Sequence, residues 1–325
     1  MKRILIIRLS SLGDVILSTP ILKLLKEKYS NGSIDYLVNK NYKDAVANNP
    51  NLSTIFEYEK EKNQQTLINS LKKKKYALII DLQNNFRSRS IVSKLPGKVY
   101  RFSKPTLKKF LLVNFKWNRL KELRTIPQMY ADSISEIEFN GELPELHIPE
   151  KKLPSVKPKN NFIGFAPGAK HFTKIWPVEY FVDLGKKLID AGFTILLLGG
   201  KADKDICSKI HNQLKNSIDL STNDDLLQIA RDMKECKLVV CNDSGLMHAA
   251  QAVDVPLVTI FGSTVKEFGF FPYSENSLII ENEGLKCRPC SHIGKSKCPK
   301  KHFKCMLEIT PELVFNKITG FIKNL

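Results

Sequence analysis

Asp14 closes the run Ser10-Ser11-Leu12-Gly13-Asp14, which follows an apolar stretch and precedes a helix-like one. A carboxylate where strand turns into helix suits two tasks. It can take a proton from a bound hydroxyl, or it can cap the free N–H groups of the helix start. A second polar cluster, Asn242-Asp243-Ser244-Gly245-Leu246-Met247-His248, also directly follows an apolar run. Asp243 or Ser244 can cap a helix there, and the exposed amides with the positive helix end suit an anion such as a diphosphate. His248, about one turn in, can reach the same anion or pack as a buried ring. Pro167-Gly168-Ala169-Lys170 and Lys174-Ile175-Trp176-Pro177 form a third group. Glycine lets backbone approach a ligand, and Lys174 offers a point charge to a phosphate or stands as a solvated loop lysine. Gly199-Gly200 and Gly262-Ser263-Thr264 end two more strands, and together these motifs outline one pocket mouth.

Cys287-x2-Cys290-x7-Cys298-x6-Cys305 places four thiols in nineteen residues. Four cysteines can hold one structural Zn, although the later spacers are long for a zinc ribbon, so reduced thiols and a disulfide pair stand beside that option. No acid–base partner accompanies them, which argues against catalysis by these thiols. Between Arg87 and Arg124 the chain carries twelve Lys or Arg against Glu122 alone, interleaved with Phe102, Phe110, Phe115 and Trp117. Such a segment suits an acidic substrate, a membrane surface or nucleic acid.

The elements that must position these residues follow from periodicity. Near-continuous apolar strands are predicted at Arg3–Arg8, Ile34–Val38, Thr54–Tyr58, Tyr76–Asp81 and Lys98–Phe102. Helices are predicted over Asp14–Tyr29, kinked at Pro20, and across 61–74. Four prolines between Gly141 and Asn160 suit a linker. The alternation then restarts, with strands at Asn161–Ala166, Phe193–Leu198, Leu238–Cys241 and Leu257–Phe261, a helix between Pro177 and Gly192, and a final helix over Pro311–Leu325. Buried strands alternating with helices imply parallel sheets covered on both faces, here in two doubly wound α/β domains.

Composition agrees with a globular protein. The 325 residues suit two domains, 42% are hydrophobic and 26% charged, and Gly and Pro number 16 each, which excludes collagen-like and low-complexity classes. No apolar run approaches a membrane span, and no signal-peptide pattern opens the chain, so a cytoplasmic location is expected. In a reducing compartment the seven Cys are not disulfides by default. The formal charge of +18 favours anionic partners. No G-x-G-x-x-G dinucleotide fingerprint is present.

The runs Ile4–Pro20, Phe165–Pro177, Leu196–Gly200, Cys241–Ala250 and Phe261–Thr264 resemble, in order and spacing, the bacterial heptosyltransferases of glycosyltransferase family 9. The cysteine cluster resembles that of the heptosyltransferase II branch. The resemblance implies a GT-B fold, with two Rossmann-like domains facing across a cleft. It divides the chain into an acceptor-binding domain over 1–155, a donor-binding domain over 156–310, and a C-terminal helix over 311–325 that packs back toward the N-terminal domain. It implies inverting transfer of heptose from ADP-heptose to the lipopolysaccharide inner core, with a lipid A-Kdo or heptosylated core acceptor.

On that resemblance Asp14 is the catalytic base. Lys174, Asp243, Ser244, Gly245, Leu246, His248, Gly168, Gly199 and Gly262 bind the donor, and Ser11, Gly13, Arg87, Arg89 and Arg101 bind the acceptor. No cofactor enters catalysis; a structural Zn at Cys287, Cys290, Cys298 and Cys305 stands as an option. The enzyme is expected to be cytoplasmic and peripheral on the inner face of the inner membrane. Two alternatives remain: transfer of another nucleotide sugar to a cell-surface glycan, and a basic nucleic-acid-binding protein. The chain lacks RRM, KH and helix-turn-helix signatures, so no nucleic acid is expected.

Overall fold

Ile4, Leu5, Ile6 and Ile7 are fully buried, and the strand they build lies at the centre of a sheet. The computed structural model describes residues 2–60, 64–120, 122–221 and 224–325. Five parallel strands, β1 (Arg3–Ile7), β2 (Ser33–Asn39), β3 (Thr54–Tyr58), β4 (Leu78–Asp81) and β5 (Lys98–Arg101), pair in the order β3-β2-β1-β4-β5. Ile7 pairs with Leu37 on one side and Asp81 on the other, so the exits of β1 and β4 are neighbours. Helices α1 (Leu12–Ile16), α2 (Thr19–Lys28), α3 (Gln64–Lys73), α4 (Phe86–Val92), α5 (Thr106–Phe115) and α6 (Ile126–Ala131) occur along this half of the chain.

The second half forms six parallel strands, β6 (Phe162–Ala166), β7 (Thr194–Leu197), β8 (Ser217–Asp219), β9 (Leu238–Asn242), β10 (Leu257–Phe261) and β11 (Ser277–Glu281), in the order β11-β10-β9-β6-β7-β8. Their helices are α7 (Val178–Asp190), α8 (Lys204–His211), α9 (Leu226–Met233), α10 (Gly245–Ala252), α11 (Lys304–Leu307) and α12 (Pro311–Ile322). Ala166 pairs with Cys241 and Asn242 with Ile260, which brings the exits of β6, β9 and β10 to one sheet edge.

The chain divides into two units, one of residues 1–105 and 124–147, the other of residues 106–123 and 148–325. Three sequence expectations are corrected. The helix predicted over Asp14–Tyr29 is two helices: Pro20, rather than kinking one long helix, stands in the first turn of α2, where its missing N–H is harmless. Residues 106–123, part of the basic run assigned to the first domain, belong to the second unit. The C-terminal helix packs on α7: Val314 and Ile318 join the core around Phe181, Leu184 and Leu188, and Lys187 pairs with Glu312. That helix buries its apolar face within the second unit. The helix predicted across 61–74 is seen as α3, and its first three residues lie outside the described set. β8 and β11, both short edge strands, were not predicted. Among the described residues no helix is long and apolar enough to cross a membrane.

Candidate functional site

Arg8 continues β1 past four buried apolar residues and is itself only 5% exposed. A guanidinium buried there requires an opposite charge. Asp14, on the third residue of α1, supplies it: Arg8 NH2 lies 2.5 Å from Asp14 Oδ1, while Arg8 NH1 donates to the Leu82 carbonyl at 2.6 Å. The other oxygen, Oδ2, accepts from the Ser11 amide at 3.1 Å and from Ser11 Oγ at 2.7 Å. The Tyr130 hydroxyl approaches Oδ1 at 3.5 Å, and its ring lies 5.7 Å from the Arg8 guanidinium carbon. Gln83, just after β4, fixes the loop by accepting from the Leu9 and Ser10 amides at 2.9 and 3.1 Å. Asp14 thus does cap the helix start, and it also forms a mostly buried ion pair. Burial pushes its carboxyl up, but the Arg8 charge and the Ser11 hydrogen bonds outweigh burial and hold it below the usual carboxylate range. Burial keeps the Tyr130 phenol well above its ordinary value.

Of the other residues predicted for this site, Ser11 and Gly13 share the Asp14 loop. Arg89 donates from Nε to Asn84 Oδ1 at 2.8 Å, and Asn84 is itself held by Asp81 and the Phe102 carbonyl at 2.8 Å each. Arg87 and Arg101 are exposed. Lys104 sits within reach of the Arg8, Asp14, Asp81 and Arg89 charges; partial burial, then the two arginines, hold its amine below the ordinary lysine range. Sequence reasoning missed Arg8, Lys104 and Tyr130. Arg8 carried a readable signal, a charge directly continuing a wholly apolar strand.

In the second unit Asp243 leaves β9 buried. Its Oδ2 lies 2.7 Å from Lys174 Nζ and accepts from Thr264 Oγ1 at 2.5 Å. The neighbouring Asn242 is a buried clamp: its Nδ2 donates to the Pro167 carbonyl at 2.6 Å and its Oδ1 accepts from the Trp176 amide at 3.1 Å. Lys174, Asp243 and Thr264 therefore come from three strand exits to one point. Ser244 occupies the N-cap position of α10 without capping it, and its Oγ is buried with no hydrogen-bond partner. Gly245 and Leu246 open that helix, and His248 is buried near the Phe270 ring at 6.2 Å between centroids.

Protein side chains or backbone lie close beside three of the glycines expected at the donor site. A Cβ on Gly168 would lie 1.8 Å from Asp203 Oδ1, and one on Gly199 would lie 2.7 Å from Asp203 Cβ. On Gly262 it would meet Met306 Cε at 2.5 Å and the Thr173 carbonyl at 2.9 Å. Asp203, which sequence reasoning missed, accepts from the Gly200 amide at 3.1 Å, and burial, with Asp224 nearby, raises its carboxyl above the usual range. It borders a cavity of about 490 Å³ also lined by Phe172, Ile175, Ile206 and Phe303.

All seven cysteines are free thiols. Among the described residues no group of three or more His, Cys, Asp or Glu side chains is arranged to hold a metal ion. Cys287, Cys290, Cys298 and Cys305, named as an optional Zn site, do not form such a group here. Cys305 is buried in the apolar core beside Met306, and burial lifts its thiol to about 12.

The model of glycosyltransferase family 9 (heptosyltransferase) matches residues 65–301. The chain is 25% identical to lipooligosaccharide heptosyltransferase 2 of Campylobacter jejuni subsp. jejuni serotype O:2, over 96% of each chain. The solved structure of E. coli ADP-heptose lps heptosyltransferase II is similar at a TM-score of 0.78 and 23% identity, covering 100% of this chain and 99% of that one. E. coli heptosyltransferase WaaC, solved with ADP-2-deoxy-2-fluoro heptose, is similar at a TM-score of 0.70 and 18% identity, over 98% and 99% of the two chains. Two parallel-sheet α/β units and these likenesses define a GT-B fold. The chain belongs to glycosyltransferase family 9, the heptosyltransferases.

Proposed function

We propose that this glycosyltransferase moves heptose from ADP-heptose to a hydroxyl of the lipopolysaccharide inner core, with inversion at the anomeric carbon. The observation that carries the reading is Asp14, a carboxylate kept ionised by Arg8 at the C-terminal edge of a parallel sheet, where such folds bind their ligands. Inverting transfer needs one base for the acceptor proton. Asp14 is that base, and the acceptor hydroxyl takes the place of the long Tyr130 contact on Oδ1. Ser11 and Gly13 shape the loop around it, and Arg87, Arg89 and Arg101 meet the carboxylates and phosphates of the acceptor. The first unit is thus the acceptor-binding one.

The second unit holds the donor. Lys174 and the free amides at the Ser244-Gly245 start of α10 meet the charge that develops on the departing ADP, so the chemical step uses no cofactor. Asp243 holds Lys174 in place. Leu246, His248 and the backbone at Gly168, Gly199 and Gly262 complete the donor site. The acceptor is a membrane lipid, which puts the enzyme at the cytoplasmic face of the inner membrane.

A panel of nucleotide sugars with truncated core acceptors, read by mass spectrometry, tests this. A heptosylated product from ADP-heptose supports the reading, whereas a product from another nucleotide sugar alone replaces it. ADP should raise the melting temperature and RNA should not; the reverse result points to a nucleic-acid-binding protein.

A further inference from the structure

The segment 106–123 departs from the usual burial pattern of a helix in a soluble protein. One leucine of α5, Leu112, is buried, while Leu107, Phe110, Phe115 and Trp117 point to solvent. The three rings touch one another, with centroids 6.1 Å apart for Phe110–Phe115 and 5.8 Å for Phe115–Trp117, so they form one continuous apolar patch.

The segment is nonetheless firmly held on the second unit. Lys116 Nζ donates to the carbonyls of Cys287 and Pro289 at 3.1 and 2.6 Å, Lys109 Nζ to that of Phe268 at 3.4 Å, and Asn118 to Glu267 at 3.3 Å. These polar anchors all use the inner side and leave the rings outside. Lys108 and Arg119 are exposed beside the rings, and the charges of Lys295 and Lys300 reach Lys116. Glu122 follows the rings in sequence, and Glu267 accepts from Asn118.

We propose that this patch docks the enzyme on an anionic bilayer surface, with Phe110, Phe115 and Trp117 entering the headgroup boundary and the surrounding Lys and Arg meeting lipid phosphates. Charge complementarity selects the occupant. An apolar aromatic patch ringed by cations fits a surface that is apolar within and anionic at its face. A second copy of so basic a chain would bring like charge to like, and rings packed on one another offer no platform for splayed bases. The inference deepens the reading above, in which the acceptor is a membrane lipid, but the patch can be tested with neither donor nor acceptor present.

Trp117 provides the probe. The chain has two tryptophans; Trp176 is fully buried and Trp117 is 59% exposed. On adding phosphatidylglycerol vesicles, Trp117 emission should shift to the blue and be quenched when the acyl chains are brominated, more weakly at high salt and much more weakly with phosphatidylcholine vesicles. Phe110→Ser with Phe115→Ser should lower partitioning onto the anionic vesicles on the order of tenfold or more, leaving turnover of a soluble truncated acceptor unchanged. No blue shift or quenching in the wild-type chain overturns the proposal. So does protection of Trp117 by dimerisation or by RNA in place of vesicles. Failure of the soluble-acceptor reaction with vesicle binding intact would instead overturn the heptosyltransferase reading and leave the docking surface standing.

Discussion

In the first unit a buried arginine serves a carboxylate; in the second a buried carboxylate serves a lysine. Arg8–Asp14 and Lys174–Asp243 both sit just beyond a parallel strand, and in both the better-buried partner is the one the proposed chemistry does not touch. Arg8 and Asp243 have side chains 6% and 5% exposed, against 15% for Asp14 and 16% for Lys174. The strand end fixes the buried member by hydrogen bonds to its neighbours, Leu82 for Arg8 and Thr264 for Asp243. The working group is then held by charge while retaining an open side. The difference lies in what the partner does to the working group. Arg8 makes Asp14 a persistent but weak base, whereas Asp243 offsets part of the charge Lys174 presents to an anion. One pair adjusts a proton, the other a position.

The largest effect should come from Asp14→Asn. It keeps the size and the Ser11 contact but loses the base and the counter-charge of Arg8, so turnover should fall by on the order of 10²–10⁴ with ADP affinity unchanged and the fold kept at lower stability. Turnover near wild type would show that Asp14 only caps α1. Next is Arg8→Met, which leaves Asp14 buried without its cation. Removing one partner of a buried pair costs about 3–5 kcal/mol, readable by denaturant unfolding. The pH response carries the sign. In the wild type the Asp14 carboxyl is depressed, so the unfolded chain takes the proton first as pH falls. Its contribution to stability is complete above the unfolded value of about 4 and is lost as pH drops through the lower folded value. The acid limb of kcat/KM should likewise lie below pH about 4. In Arg8→Met burial is left to dominate, and the limb should move to higher pH. An unmoved limb would mean the pair does not set the base.

Lys174→Ala comes next. The diphosphate loses its counter-charge and Asp243 is left to repel it, so ADP binding should weaken by about 10–100-fold, measured by calorimetry. Asp243→Asn should weaken it less, since Lys174 keeps its charge and loses only its tether. Equal losses would erase the distinction between a working and a positioning partner.

How much of this was legible in the sequence follows from the range of each contact. Asp14 and Asp243 were legible because each is flagged locally, by an apolar strand before it and a helix start at or after it. The Arg8 partnership spans six residues and was also within reach, as an arginine ending an apolar strand needs a carboxylate nearby. Asp203 was not legible: the contacts that require Gly168 and Gly199 come from a side chain up to 35 positions away, and a glycine that clears space for protein looks the same in sequence as one that clears it for a ligand. β8 and β11 escaped because an edge strand of three or five residues with few buried positions has no periodicity to read. The basic run was taken as one face because its charges are contiguous in sequence. The fold parts it, with Arg87, Arg89 and Arg101 on the first unit and Lys108, Lys116 and Arg119 on the second.

That partition sharpens a smaller prediction. Replacing Arg87, Arg89 and Arg101 together with Ser should raise the acceptor KM several-fold and leave the donor KM in place, as exposed charges each contribute little alone. Equal shifts in both constants would show that this half of the run does not meet the acceptor.

The smallest effect expected is none, and it bears on the lysine pair. If Lys174 and the start of α10 carry the charge of the departing diphosphate, a metal has no part in the step, and a chelator should leave turnover unchanged. The cysteine cluster offers the one rival. Three of its members, Cys287, Cys290 and Cys298, are partly exposed and lie in a strongly basic loop. Cys305 is withdrawn into the apolar core, and among the described residues the four thiols do not gather as a metal-ligand group. Elemental analysis of freshly purified enzyme should therefore find well below the roughly one zinc per chain that a four-cysteine site would hold. Cys305→Ala should act through packing alone, lowering stability without changing kcat. Prompt loss of turnover on chelation, with the fold intact by circular dichroism, would move the leaving-group charge from Lys174 to a metal. The second pair would then be structural, and the likeness between the two units would reduce to a shared place in the fold.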